Sequence, residues 1–162
     1  MAAMSRLPSL GPRGEGWVAI QFVLLGAIAG AGWWTGPDWG GPARTVSVAV
    51  GLALIAAGGI LAARGLLDLR SALTPMPHPR DGAELVETGV YRLVRHPIYG
   101  GLIVAAFGWG LVRASVASLL LAGLLTAFFV LKSMREEAWL VRSYPRYAAY
   151  RTRTRRFIPW IG

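Results

Sequence analysis

The sequence predicts an all-α, polytopic membrane protein: a single membrane domain over 1–162 with four transmembrane helices and both termini in the cytoplasm. Three observations carry that expectation. Hydrophobic residues make up 54% of the 162 and charged residues only 15%, against about 25% charged in an ordinary soluble domain. Four long apolar runs punctuate the chain, and the basic residues concentrate in alternate connections between them. Disorder is excluded by the same composition, because it needs low hydrophobicity and dense charge.

The apolar runs set the elements. Residues 17–34, 46–63 and 114–131 each hold eighteen residues without a charge, and 98–112 holds fifteen. A bilayer core about 30 Å thick takes about 20 helical residues, with about 17 tolerated, so the third run is the marginal one. A soluble α-helical core competes for runs this short, but no polar helical face is left to meet water. Gly26, Gly30, Gly58 and Gly59 would weaken helices in water and suit close packing in lipid. Gly26, Gly30 and Gly32 do not read as a nucleotide loop, since no strand precedes them. Arg6 and Arg13 precede the first run, which reads as a retained span with Trp33, Trp34 and Trp39 as an interfacial belt.

Orientation follows from the arginines and lysines. Two lie before the first run, one (Arg44) between the first and second, five in 64–97, one (Arg113) in the next turn and eight in the tail 132–162. Fifteen therefore fall on one face and two on the other, which puts the termini, the 64–97 segment and the tail in the cytoplasm. The net charge of +9 then reflects topology, and no nucleic-acid partner is expected. Cysteine is absent and only His78 and His96 represent histidine, which removes disulfides, thiol chemistry and any expected metal site.

The chemistry-bearing residues cluster in the cytoplasmic parts. Pro75, Pro77 and Pro79 make the stretch around His78 extended, and His78 reads best as a solvated loop residue. Pro97 suits the first turn of the third helix, leaving Arg95 and His96 at its positive end beside free backbone donors. A guanidinium there grips a carboxylate or phosphate, or else snorkels to headgroups as an anchor with Tyr91 and Tyr99. Glu136 and Glu137 are unusual in so basic a tail. Neighbours on a helix are about 100° apart, so at most one is expected to face a given pocket, and Lys132 is placed to pair with Glu136 one turn on. Pro145 is expected to end the fourth helix, and Tyr144, Tyr147 and Tyr150 to share one helical face. The tail arginines suit a basic surface on anionic lipid. The short turn at Arg113-Ala114-Ser115 makes the third and fourth helices a hairpin, which brings Arg95, His96 and Tyr99 beside Lys132, Glu136 and Glu137.

The Arg95-His96-Pro97-x-Tyr99 core within Gly89 to Gly101, the Glu136-Glu137 pair and the tail Tyr147-x-x-Tyr150 to Phe157-Ile158-Pro159 closely resemble the isoprenylcysteine carboxyl methyltransferase and phospholipid methyltransferase group, over roughly 73–160. The resemblance implies S-adenosylmethionine as cofactor, held at the cytosolic face between the loop before the third helix and the C-terminal tail, with a lipidic or prenylated acceptor entering from the bilayer. It implies that Tyr91, Arg95, His96, Pro97, Tyr99, Glu137 and Tyr150 bind the cofactor. Glu136 would then orient the acceptor and Lys132 hold an acceptor carboxylate. Tyr144-Pro145 departs from the family's usual Phe-Gly. The expected reaction is carboxyl O-methylation of an isoprenylcysteine-like acceptor, with N-methylation of a phospholipid or lipid amine as the alternative. Two further classes stay open: a nicotinamide-dependent membrane reductase, whose family carries a similar Arg-His-Pro and glutamate pattern, and a non-catalytic lipid-binding membrane protein.

Overall fold

A computed structural model describes residue 8, residues 10–69 and residues 85–159. The run around Pro75, Pro77 and His78 lies outside the described residues. Among the described residues five α-helices follow in order, α1 (Glu15–Trp34), α2 (Gly41–Leu69), α3 (Pro97–Arg113), α4 (Val116–Ser143) and the short α5 (Tyr147–Arg153), with a 3-10 turn at Gly89–Arg92 ahead of α3. Among the described residues α1, α2 and α4 are long and apolar enough to cross a membrane, and α3, at 17 residues, is shorter.

Two helices outrun their apolar stretches. The segment expected to leave the membrane at residue 64 stays helical to Leu69, and α4 continues twelve residues past Leu131 to Ser143. Charge ends an apolar run without ending a helix, because Arg, Lys, Glu, Leu and Ala all have good helix propensity. The stop in α4 comes where Tyr144 turns extended ahead of Pro145, which is the break the proline demands.

The closest helix pair is α2 with α3, packed antiparallel through glycine. A Cβ on Gly58 would meet the Gly101 carbonyl oxygen at 2.4 Å, one on Gly101 would meet that of Gly58 at 2.4 Å, and Gly51 and Gly108 oppose each other in the same way at 2.6 Å. Gly65 completes the seam against Pro97 and Ile98, at 2.9 Å to each. Glycines seven apart on α2 recur on one side of the helix, so backbone lies on backbone at Gly51–Gly108 and Gly58–Gly101. Gly26 and Gly59, by contrast, have open space where a Cβ would be, and Gly30 faces only the ring of Trp34 on its own helix.

The hydrophobic core joins α1, α3 and α4 through Trp17, Ile28, Ile103, Leu125, Phe128 and Phe129. At the end of the bundle away from the tail, Ser115 caps α4 by accepting from Ser118 N at 3.2 Å, and Arg113 Nε donates to the Gly32 carbonyl at 2.7 Å. The α3–α4 turn is the very short one expected, Ala114 and Ser115 separating the two helices, with Ala114 in the left-handed region at φ +51°. That turn makes α3 and α4 a hairpin and places the start of one beside the far half of the other.

Candidate functional site

The loop before α3 is built by local hydrogen bonding. Asp68, near the end of α2, accepts from Val90 N at 2.7 Å, and Gly89 next to it has φ +59° with its Cα side against that carboxylate. Only glycine meets both demands easily. The 3-10 turn then delivers Tyr91, whose carbonyl accepts from the buried Tyr150 hydroxyl at 2.7 Å. Burial pushes the Tyr150 phenol up, keeping it a donor.

The tail returns to this loop as a short parallel pairing of Val94 with Arg155. Arg95 N donates to Arg155 O at 2.8 Å, His96 N to Arg156 O at 2.9 Å, and Arg155 N to Leu93 O at 2.9 Å. The amides of Arg95 and His96 themselves are thus taken by tail carbonyls. Gly100 lets this happen: a Cβ there would overlap the Phe157 carbonyl oxygen at 2.0 Å.

Side chains from three elements meet beneath that pairing. His96, 7% exposed, lies with Nδ1 3.3 Å from Glu136 Oε2 and Nε2 3.3 Å from Glu137 Oε1. Adjacent glutamates were expected to face different pockets, and both reach the same imidazole. A ring with nitrogens on two edges can be met by carboxylates that leave the helix in different directions. Burial opposes the charged imidazolium, but the two carboxylates outweigh it and raise the His96 pKa above its ordinary value. In the protonated ring both nitrogens act as donors.

Glu137 is fully buried. Its Oε1 also accepts from Arg95 Nε at 2.9 Å, while Arg151 and Arg156 lie 3.7 and 3.9 Å from Oε2. Arg95 reaches on through its terminal nitrogen to the carbonyls of Arg151, at 3.0 Å, and Thr154. Those are the C-terminal carbonyls of α5, which a guanidinium satisfies well. Glu136 accepts from the Tyr99 hydroxyl, and Tyr99 stacks on His96 with centroids 5.5 Å apart and on Phe129 at 4.5 Å.

Lys132 does not pair with Glu136. It is 1% exposed, its ammonium donates to Gln21 Oε1 of α1 at 2.6 Å, and it lies 4.9 Å from the centre of the Tyr99 ring. The tyrosine triplet is also divided: Tyr144 sits at the helix break, whereas Tyr147 and Tyr150 are buried edge to face in α5 with centroids 5.7 Å apart. Pro97 opens α3 beneath His96 and is buried. Not all the tail arginines are left to lipid, since Arg151 and Arg156 approach Glu137 and Arg153 pairs with Glu87. Gln21, Asp68 and Thr154 escaped the sequence reading. Asp68 and Thr154 look like ordinary surface residues, but a lone glutamine inside the charge-free first run was a visible signal.

These polar side chains thus gather at one end of a helical bundle, as in a multi-pass membrane protein, with three helices long and apolar enough to cross a membrane among the described residues. The phospholipid methyltransferase family model matches residues 46–147, and the chain belongs to that family. The chain is also similar to the cobalt-zinc-cadmium resistance protein CzcN of Cupriavidus metallidurans, at 27% identity over 146 residues, which is 90% of this chain and 62% of that protein. It therefore spans less than two thirds of that relative's length. Among the described residues no group of three or more His, Cys, Asp or Glu side chains is placed to hold a metal ion.

Proposed function

We propose that this protein transfers methyl from S-adenosylmethionine to a lipidic acceptor drawn from the bilayer, at a site facing the cytoplasm, and that the leading acceptor is the carboxylate of an isoprenylcysteine-like lipid. The observation that carries this reading is the convergence of Arg95 and His96, Glu136 and Glu137, and the α5–tail segment on one buried spot in a chain of this family.

The residues present fit such a cofactor. Glu137 Oε2 and the Tyr147 hydroxyl are buried without a hydrogen-bond partner among the described residues, and a ligand carrying an ammonium and hydroxyls supplies what both lack. Tyr91, Arg95, His96, Pro97, Tyr99, Glu137 and Tyr150 would hold it, and Glu136 and Lys132 would face the acceptor. When bound, S-adenosylmethionine supplies a sulfonium methyl open to in-line displacement.

The chain's own work is alignment and exclusion of water. A carboxylate acceptor would be ionised at neutral pH and would need no general base from the chain. Lys132 favours that anion and disfavours a cationic amine. N-methylation of a phospholipid or lipid amine is the second reading, favoured by the family's description and by Glu136, which would take the amine's proton.

Membranes carrying the protein and methyl-labelled S-adenosylmethionine test both. Labelled lipid that releases methanol in mild base supports the ester. Base-stable label selects the amine, and no label in lipid rejects the methyltransferase reading.

A further inference from the structure

Lys132 is the buried charge of the site that no carboxylate meets within 4 Å among the described residues. Its neighbours are the Gln21 carboxamide oxygen at 2.6 Å and the face of Tyr99, whose ring centre is 4.9 Å away. Glu136, one turn further along α4, is turned to Tyr99 and His96 instead. Arg95, the comparably buried cation, has Glu137 at 2.9 Å. A buried ammonium is costly unless it is paired; the neutral amide brings no opposing charge, and Glu136 acts on Lys132 only from beyond ion-pair distance.

Gln21 stands at the edge of the bundle. It is half-buried, and the residues that follow it on α1, Phe22 and Val23, are 64% and 71% exposed on the apolar surface. It lies six residues into α1, about 9 Å of helical rise, and on the opposite helix Lys132 follows the last residue of the charge-free run. The ammonium thus lies at the boundary between the apolar bundle and the polar cluster, with the Gln21 amide on its outer side.

We propose that Gln21 is a displaceable plug in the acceptor site: its carboxamide oxygen holds on Lys132 the place of an acceptor carboxylate oxygen, and a lipid carboxylate arriving from the bilayer takes over that hydrogen bond. This rests on the carboxylate reading of the acceptor, and it adds α1, which lies outside the family-matched residues 46–147, to the acceptor site. The exchange runs toward an anion, because a carboxylate adds to the hydrogen bond a Coulomb attraction for the ammonium, in a poorly solvated place, that a neutral amide oxygen lacks. A cationic amine gains nothing from it and is repelled. Gln21 is a place-holder here, satisfying the ammonium only until the acceptor arrives.

The test is equilibrium binding to the purified full chain in nanodiscs. The probes are a farnesyl thioether carboxylate, its methyl ester and the matching farnesyl amine. The wild type is expected to bind the carboxylate about tenfold or more tightly than the other two. Gln21→Glu keeps the bond to Lys132 but fills the site with its own charge, so carboxylate affinity falls about tenfold or more. Gln21→Met keeps the volume and removes the competing oxygen, so carboxylate affinity stays at or above that of the wild type. A mere strut between α1 and α4 gives the reverse order, with Gln21→Met impaired and Gln21→Glu unharmed, and that result overturns the proposal. So does a wild type that does not prefer the carboxylate. Calorimetry with S-adenosylmethionine on the same samples separates the two readings: loss of cofactor binding in the wild type rejects the methyltransferase, while the order among the Gln21 variants still decides the plug.

Discussion

Arg95 Nε and Glu137 Oε1 lie 2.9 Å apart with side chains 9% and 0% exposed, so one ion pair ties the loop before α3 to the far end of α4. Arg95 extends the tie to the last carbonyls of α5. Removing one partner of such a pair strands the other in a poorly solvated place, which costs far more than the pair itself contributes.

Glu137→Ala is therefore expected to destabilise the tail by about 3–5 kcal/mol and Glu137→Gln by less. Thermal unfolding in detergent, with trypsin cleavage at Arg151 and Arg153 as a local readout, checks this. Cleavage no faster than in the wild type would remove the tie from consideration.

His96→Ala is expected to lose about ten- to a hundredfold in S-adenosylmethionine affinity, the worth of one charge-assisted hydrogen bond. Calorimetry giving wild-type affinity would reject the placement of the cofactor.

The raised His96 pKa gives the site a direction with pH. A group whose pKa is higher in the folded chain contributes its full stability below its unfolded value, 6.5 for histidine, and loses it as pH rises through the folded value. The melting temperature of the wild type should therefore fall relative to His96→Gln as pH is raised from about 6 to 9. Parallel curves for the two proteins would contradict it.

Gly58→Leu or Gly101→Leu is expected to part α2 from α3, at a cost above the roughly 1–3 kcal/mol of ordinary overpacking, because the opposing atoms are backbone. Gly59→Ala, one residue along and facing open space, is the matched control. Equal stability of Gly58→Leu and Gly59→Ala would show that the seam opens without penalty.

Topology is tested by reporter fusions after Gly40 and after Pro159. The fifteen-to-two division of basic residues predicts opposite sides, with the second in the cytoplasm. Reports from the same side would overturn the four-span topology, and a tail reported outside the cytoplasm would reverse the assignment of the whole site.

The helices were legible because apolar runs and turn residues are local signals: the Arg113-Ala114-Ser115 turn and the break at Pro145 lie where the sequence puts them. The hairpin also foretold that His96 and Tyr99 would meet Glu136 and Glu137. Less was legible where geometry depends on partners distant in sequence. Helical spacing separates Glu136 from Glu137, yet it says nothing of a ring standing between them. Lys132 offered a partner four residues away on its own helix and took one 111 residues away on α1. The pairing of residues 93–96 with 155–157 has no periodic signature, since it involves three backbone bonds and a glycine that leaves room for them.

That pairing also imposes an order on biogenesis. Helices α1 to α4 all precede the tail in the chain, but Arg95, His96 and Glu137 acquire their roof only when residues 154–157 dock. The membrane-crossing part of the chain is thus complete before the site is. A stop codon anywhere in the segment encoding α5 would leave a protein that reaches the membrane, occupies its place there and carries an open, unassembled site.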